Sequence, residues 1–185
     1  VGAAFFAPEC VTADLASSIS INTAWPNGPV VVRNHVTLVG SDGFGSSGTS
    51  PSVELVRSAL SDDDNSSSLF VVTPGATLRL FNLILGQGLA TEGGAVSVAA
   101  RGILVADGVH FKMNRALASG GAVFAELGAS LSFSRSAFDS NQASNYAGGA
   151  IYMRGNNSLS LADVSFNANA AFELGAAVCA CCDCE

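Results

Sequence analysis

The chain has 185 residues, of which 49% are hydrophobic and 12% charged, and its formal net charge is −7. This composition excludes a disordered tail and a coiled coil, and a chain of this length can bury a core of its own. Because 15 acidic residues outnumber 8 basic ones and the basic residues do not cluster, we expect no nucleic-acid partner. No run of about 18 apolar residues occurs, so we expect no transmembrane segment in this chain.

The first part of the chain carries no clear copy of the repeat that organises the rest, and we predict that residues 1–28 form an N-terminal cap. A cap is expected because the end of a stack of strands exposes unpaired edges. Residues 29–178 are predicted to form a β-helix, interrupted over residues 40–68 by a polar loop rich in glycine and serine. Residues 179–185 form a cysteine-rich tail that we expect to continue into a longer protein.

Two Asn-x-Ser sequons begin at Asn65 and Asn156, both in polar stretches where turns are expected. N-linked glycans of secreted proteins are attached at such sequons. The two asparagines are therefore candidate glycosylation sites, and they favour an extracellular or cell-surface location.

Two motifs, Gly-Gly-Ala-[Val/Ile] and Phe-x-x-Asn, recur together in the second half of the chain. Successive repeats are 27 or 28 residues apart, and each Phe follows the first glycine of its repeat by 18 residues. A constant offset over three copies indicates a repeated structural unit. The motif positions are Gly93, Gly94, Phe111 and Asn114, then Gly120, Gly121, Phe138 and Asn141, then Gly148, Gly149, Phe166 and Asn169.

Apolar residues alternate with polar ones between these motifs, as they do in β-strands. Units of about 27 residues made of short strands and glycine turns must stack to bury their apolar faces. The sequence therefore predicts an all-β parallel solenoid with one coil per repeat. In such a coil the Gly-Gly pair forms a bend, the Phe fills the interior, and the Asn passes side-chain hydrogen bonds to the next coil.

The paired motifs resemble the repeats of the chlamydial polymorphic outer membrane proteins and of related β-helix domains in bacterial and algal surface proteins. The resemblance covers about residues 69–180 and implies a right-handed parallel β-helix of pectin-lyase-like type at a cell surface. We expect a structural or adhesive module, for example in a surface filament such as an algal flagellar hair. Its expected partners are other protein subunits or copies of itself.

Five cysteines are distributed unevenly along the chain. Cys10 is isolated, whereas the other four lie within the last seven residues. In an oxidising compartment this pattern predicts local disulfides and one longer-range or intermolecular bridge; in a reducing one, the tail could hold a soft metal ion. Disulfides are favoured because no histidine or second cysteine pair lies nearby to complete a zinc site. The tail cysteines are Cys179, Cys181, Cys182 and Cys184.

The strand after each Gly-Gly pair offers a candidate binding surface. If its valine or isoleucine points inward, Phe124 and Tyr152 share an outward column with Ser97 and Cys179. An exposed aromatic ladder of this kind binds sugar faces or a partner protein. The alternative is simple packing of the strand beneath a loop.

The residues of a polysaccharide-degrading enzyme are scarce in this sequence. The acidic run at residues 62–64 lacks the ligand spacing of an EF-hand, and Asp107 and Asp163 fall in different columns. Arg135 shares a column with Asp163, which suggests a surface contact, and His35 and His110 have no recognisable catalytic partner. We therefore expect no catalytic residues, no metal and no cofactor. A glycan-binding adhesin is the alternative function, and a polysaccharide lyase or hydrolase is the weaker one.

Overall fold

The computed structural model describes residues 11–15, 19–21, 28–40, 53–57 and 67–181. Every regular element among them is a β-strand, and every strand pairs in parallel with a strand of the neighbouring coil. The coils stack about 27 residues apart, which confirms the predicted all-β parallel solenoid.

The strands form four parallel sheets that run along the stack. Sheet A contains β1 (Val11–Leu15), β4 (His35–Gly40), β7 (Thr77–Phe81), β11 (Ile103–Asp107), β15 (Ser130–Ser134) and β19 (Ser158–Ala162). Sheet B contains β2 (Ile19–Ile21), β5 (Val53–Arg57), β8 (Leu83–Gly86), β12 (His110–Lys112), β16 (Ala137–Asp139) and β20 (Ser165–Asn167). Sheet C contains β3 (Val30–Val32), β6 (Phe70–Val72), β10 (Val96–Val98), β14 (Val123–Ala125), β18 (Ile151–Arg154) and β22 (Val178–Cys181). Sheet D contains β9 (Leu89–Ala90), β13 (Arg115–Ala116), β17 (Gln142–Ala143) and β21 (Ala170–Ala171).

The strand register aligns equivalent residues of successive coils into columns. In sheet B, Phe111 pairs with Phe138, and Phe138 pairs with Phe166. Their rings stack face to face, with centroids 4.6 Å and 5.0 Å apart. A second inward column in sheet A adds Phe133, whose ring meets Phe138 edge-on. The solenoid interior is therefore filled by stacked side chains and contributes roughly 1.5–3 kcal/mol for each large residue fully buried.

The Gly-Gly corner explains why this motif needs glycine twice. Gly120 has a φ of +67°, and a Cβ there would lie 2.3 Å from the carbonyl oxygen of Val123. Gly121 packs against the following coil so closely that a Cβ would lie 2.1 Å from the carbonyl oxygen of Gly149. The first glycine is thus required by backbone conformation and the second by the close approach of two coils.

Strands from the predicted cap and from the predicted loop take part in the stack. Within residues 1–28, β1 pairs with β4 in sheet A and β2 pairs with β5 in sheet B. Within residues 40–68, β5 pairs with β8. The ladder of parallel strands therefore begins before residue 29 and passes through the 40–68 segment. The remainder of both segments lies largely outside the described residues.

Candidate functional site

The buried asparagines of the Phe-x-x-Asn motif form a ladder that joins the coils. Asn114 donates from its backbone N–H and from Nδ2 to Oδ1 of Asn141, at 3.0 Å each. Asn141 donates in the same way to Oδ1 of Asn169, at 3.0 Å and 2.9 Å. The remaining Nδ2 hydrogen of Asn141 reaches the carbonyl oxygen of Phe111 at 3.0 Å. Asn114 and Asn141 thus each accept at Oδ1 from the preceding coil and donate through Nδ2 to both neighbouring coils.

Within the described residues, the ladder runs from Gly88 to Asn169. It starts at Gly88, which occupies the asparagine position and donates its N–H to Oδ1 of Asn114 at 2.9 Å. At the other end, Asn169 donates from Nδ2 to the carbonyl oxygen of Phe138 at 2.8 Å. Within the part of the chain that the structure describes, no acceptor meets the Asn169 backbone N–H or its second Nδ2 hydrogen. Hydrogen-bond donors therefore point away from the last coil.

Within the described residues, the inward side chains of the last coil have a neighbouring coil on one side only. Leu161 is 43% exposed, whereas its partner in the preceding coil, Phe133, is 1% exposed. Phe166 is likewise only half-buried, although Phe138 beneath it is fully buried. We use the term end face for the inward side chains of the last coil, which are Leu159, Leu161, Val164, Phe166, Asn169 and Val178.

The predicted aromatic column exists, but Phe124 in it is buried, as in the alternative in which the strand packs beneath a covering segment. Phe124 and Tyr152 stack with ring centroids 5.6 Å apart and an interplanar angle of 7°. Phe124 is only 2% exposed, and Tyr152 is half-buried. The Gly-Gly corner folds back over this column, because a Cβ at Gly148 would lie 2.8 Å from Cβ of Tyr152. Phe124 therefore packs beneath the corner and is not available to a sugar or a partner protein.

A cluster of charged groups lies beside Tyr152. The alignment of equivalent repeat positions into columns did not predict it. Burial raises the pKa of the Glu92 carboxyl, the negative charge of Glu126 raises it further, and Arg154 opposes this effect. A guanidinium nitrogen of Arg154 lies 3.8 Å from Oε1 of Glu126. Burial also raises the pKa of the Tyr152 phenol. Glu92 belongs to the loop before a Gly-Gly pair and Glu126 to the strand end of the next coil, so strand columns alone do not bring them together.

The exposed aromatic residues lie elsewhere, on the turn that follows sheet D. Tyr146 is 56% exposed, Phe172 is 75% exposed and Leu174 is 59% exposed. We call these three residues the apolar ridge. The sequence signal is a length difference: six residues lie between Asn141 and the next Gly-Gly pair, whereas five lie between Asn114 and Gly120. The extra residue falls in the turn that carries Tyr146.

Charged pairs on the outside of the coils cross from one coil to another. Arg135 donates from Nε to Oδ1 of Asp107 at 2.8 Å, so its ion-pair partner is Asp107 and not the Asp163 of its own column. This hydrogen bond holds the pKa of Asp107 below its ordinary value. His110 contacts Asp139 through Nε2 at 2.5 Å. These contacts link adjacent coils at the surface.

The remaining predicted sites are only partly within the described residues. Asn156 is exposed in a turn, so its side chain is accessible for the predicted glycosylation, whereas Asn65 lies outside the described residues. Cys179 is buried, and burial raises the pKa of its thiol. Cys181 is placed only through its backbone in β22. Cys10, Cys182 and Cys184 lie outside the described residues, so the disulfide pattern stays a prediction.

Over the described segments, no three His, Cys, Asp or Glu side chains lie close enough together to share a metal ion. No helix that could cross a membrane occurs in these segments either.

No protein-family model, curated protein or solved structure matches the chain. The parallel solenoid is established by the strand pairing of the chain itself, whereas the resemblance to polymorphic outer membrane protein repeats rests on two motifs and their spacing.

Proposed function

We propose that the chain is a non-enzymatic structural or adhesive module of an extracellular, cell-surface protein or filament. The proposal rests on the hydrogen-bond partners of the buried asparagine side chains. Asn114 and Asn141 are at most 1% exposed, and their side chains bond to neighbouring coils at every polar atom. The fold thus directs its buried hydrogen bonds to cohesion along the stack, which is the property that a load-transmitting or surface-displaying module requires.

One surface feature supports contacts with other molecules. The apolar ridge places Tyr146, Phe172 and Leu174 in solvent, and exposed apolar clusters mark interaction sites more often than chance. Other subunits or copies of the chain are the partners that we propose for this surface. The proposed setting is a right-handed, pectin-lyase-like β-helix of the polymorphic outer membrane protein type, in which the cysteine tail cross-links subunits.

A glycan-binding adhesin is the second candidate, and one observation favours it. Tyr146 and Phe172 are exposed aromatic rings on successive coils, and sugars pack on such rings. The double variant Tyr146→Ser and Phe172→Ser should then abolish saturable glycan binding by a monomer. Glycan binding that is unchanged in this variant, or absent from the wild-type chain, would remove this candidate.

The test of the structural role uses the protein from its native source. Electron microscopy of material purified without reductant, beside a reduced sample, should show ordered filaments or sheets that come apart on reduction. Dispersed single molecules in both samples would overturn a role in assembly and leave the adhesin as the remaining candidate.

A further inference from the structure

The outer face of sheet B carries two charged pairs that share the strand β12. His110 and Lys112 lie on either side of the buried Phe111, so both side chains belong to the outer face. His110 Nε2 contacts Oδ2 of Asp139 in β16 at 2.5 Å. Lys112 Nζ lies 2.9 Å from Oε1 of Glu54 in β5. The four charged side chains keep between 27% and 31% of their surface exposed, so water screens both pairs only in part.

Lys112 has an acidic residue in the next coil and nevertheless pairs with one that lies two coils away. Asp139 is the register partner of Lys112, and neighbouring strands are about 4.8 Å apart. Glu54 lies on the other side of β8, where Gly86 is the register partner of Lys112. A Cβ at Gly86 would lie 3.1 Å from Oε1 of Glu54 and 3.5 Å from Cε of Lys112. The two side chains therefore meet above a glycine, which has no side chain to separate them.

The ionisable groups that face His110 on this surface belong to β5, β12 and β16. They are Glu54, Lys112 and Asp139, whereas β8 contributes an isoleucine and a glycine to the same face. The corner that leads into β12 has charged groups of its own, which already form a pair, Asp107 and Arg135. His110 and Lys112 are thus two basic groups on one strand, between one carboxylate on each side.

We infer that the charge of His110 selects the partner of Lys112, so that β5 is held to the stack more firmly at acidic pH than at basic pH. A histidine gains its charge as the pH falls from about 8 to about 5. A charged His110 compensates the carboxylate of Asp139 and repels Lys112, which therefore stays on Glu54. A neutral His110 leaves the charge of Asp139 uncompensated, and Asp139 then draws Lys112 back to its register partner.

The switch adjusts the local stability of β5 and does not detach the strand. β5 buries Val53 and Leu55 in the core and pairs in parallel with β8, and neither contact depends on pH. Loss of a partly exposed ion pair changes an opening equilibrium by up to about fivefold. β5 belongs to the 40–68 segment, so the inference assigns a pH sensor to the attachment of that segment and is independent of the assembly role.

Hydrogen exchange of the full chain at about pH 5.5 and about pH 8 tests the switch. The protection of residues 53–57 is divided by that of residues 130–134 in the same molecule, which removes changes in global stability. In the wild-type chain this ratio should fall about two- to fivefold between the acidic and the basic sample. His110→Gln keeps a neutral donor and should hold the ratio at its basic value at both pH values. His110→Arg keeps a positive charge and should hold it at its acidic value.

Two further variants separate the switch from other effects of pH. His35→Gln is the matched control, because His35 is the second histidine of the chain and is exposed on sheet A, and it should keep the wild-type pH dependence. Glu54→Gln removes the ion pair and should abolish the pH dependence although His110 is intact. A wild-type ratio that is the same at both pH values, or a His110→Gln variant that keeps the wild-type dependence, would overturn the inference.

Discussion

Asn141 is completely buried, and every polar atom of its side chain has a partner in an adjacent coil. Replacing it with alanine would leave the buried backbone N–H of Asn114 and one Nδ2 hydrogen of Asn114 without an acceptor. Each buried group left without a partner costs about 1–3 kcal/mol. Asn141→Ala should therefore lower the free energy of unfolding by about 3 kcal/mol, measured by chemical denaturation.

The control for this variant is Asn156→Ala, at an exposed turn residue. It should change the free energy of unfolding by no more than about 0.5 kcal/mol. Equal effects of the two substitutions would show that the ladder does not hold the coils together.

Glu92 carries a stability effect that depends on pH. Burial and the charge of Glu126 raise its pKa above the ordinary value of 4.5, so the folded chain holds this proton more tightly than the unfolded chain. Because the folded state binds more protons, stability falls as pH rises from about 4.5 through the folded pKa. Glu92→Gln should raise the melting temperature at pH 7 and leave it unchanged at pH below the unfolded pKa. A melting temperature lowered at pH 7 would contradict the assigned burial effect.

Single residues were harder to predict than columns, and Phe124 shows the reason. Alternation along β14 identifies the outward column correctly, since Phe124 and Tyr152 are register partners. It does not say what lies over that column, and here the Gly-Gly corner covers it. The proximity of Glu92 and Glu126 was not predicted for a related reason. The two residues meet across a corner, where side chains no longer alternate between the two faces of a strand.

At the scale of the element, the Gly-Gly corner sets how closely two coils approach. Gly121→Ala would place a Cβ 2.1 Å from the carbonyl oxygen of Gly149, so the backbones must separate. Overpacking of this kind typically costs about 1–3 kcal/mol. Thermal or chemical unfolding of Gly121→Ala should therefore show a loss in this range.

The matched substitution is Ala176→Gly, at the same position of the last coil, where the residue is exposed. It should cost less than about 1 kcal/mol, through backbone entropy alone. If Gly121→Ala were as mild as Ala176→Gly, close packing would not explain the second glycine of the motif.

The strands were the most predictable feature of this structure, because the sequence that forms them repeats. The constant offset between Gly-Gly and Phe-x-x-Asn located the sheet B strands and the asparagine ladder, because stacking converts sequence period into contact. The same reasoning did not locate β1 and β2 within residues 1–28, since their coil lacks both motifs. The apolar ridge was also missed, because a one-residue extension shows where a turn changes and not which side chain it exposes.

At the scale of the whole molecule, a solenoid transmits stability from neighbour to neighbour, so its ends are its weakest parts. The last coil has neighbours on one side only within the described residues, and its inward side chains are partly in solvent. Local stability should therefore be lower in residues 158–181 than in the central coils.

Hydrogen exchange of the full chain, resolved by peptide, tests this claim most directly. Amides of residues 158–181 should exchange faster than those of residues 130–154. Equal exchange rates in the two segments would contradict the account.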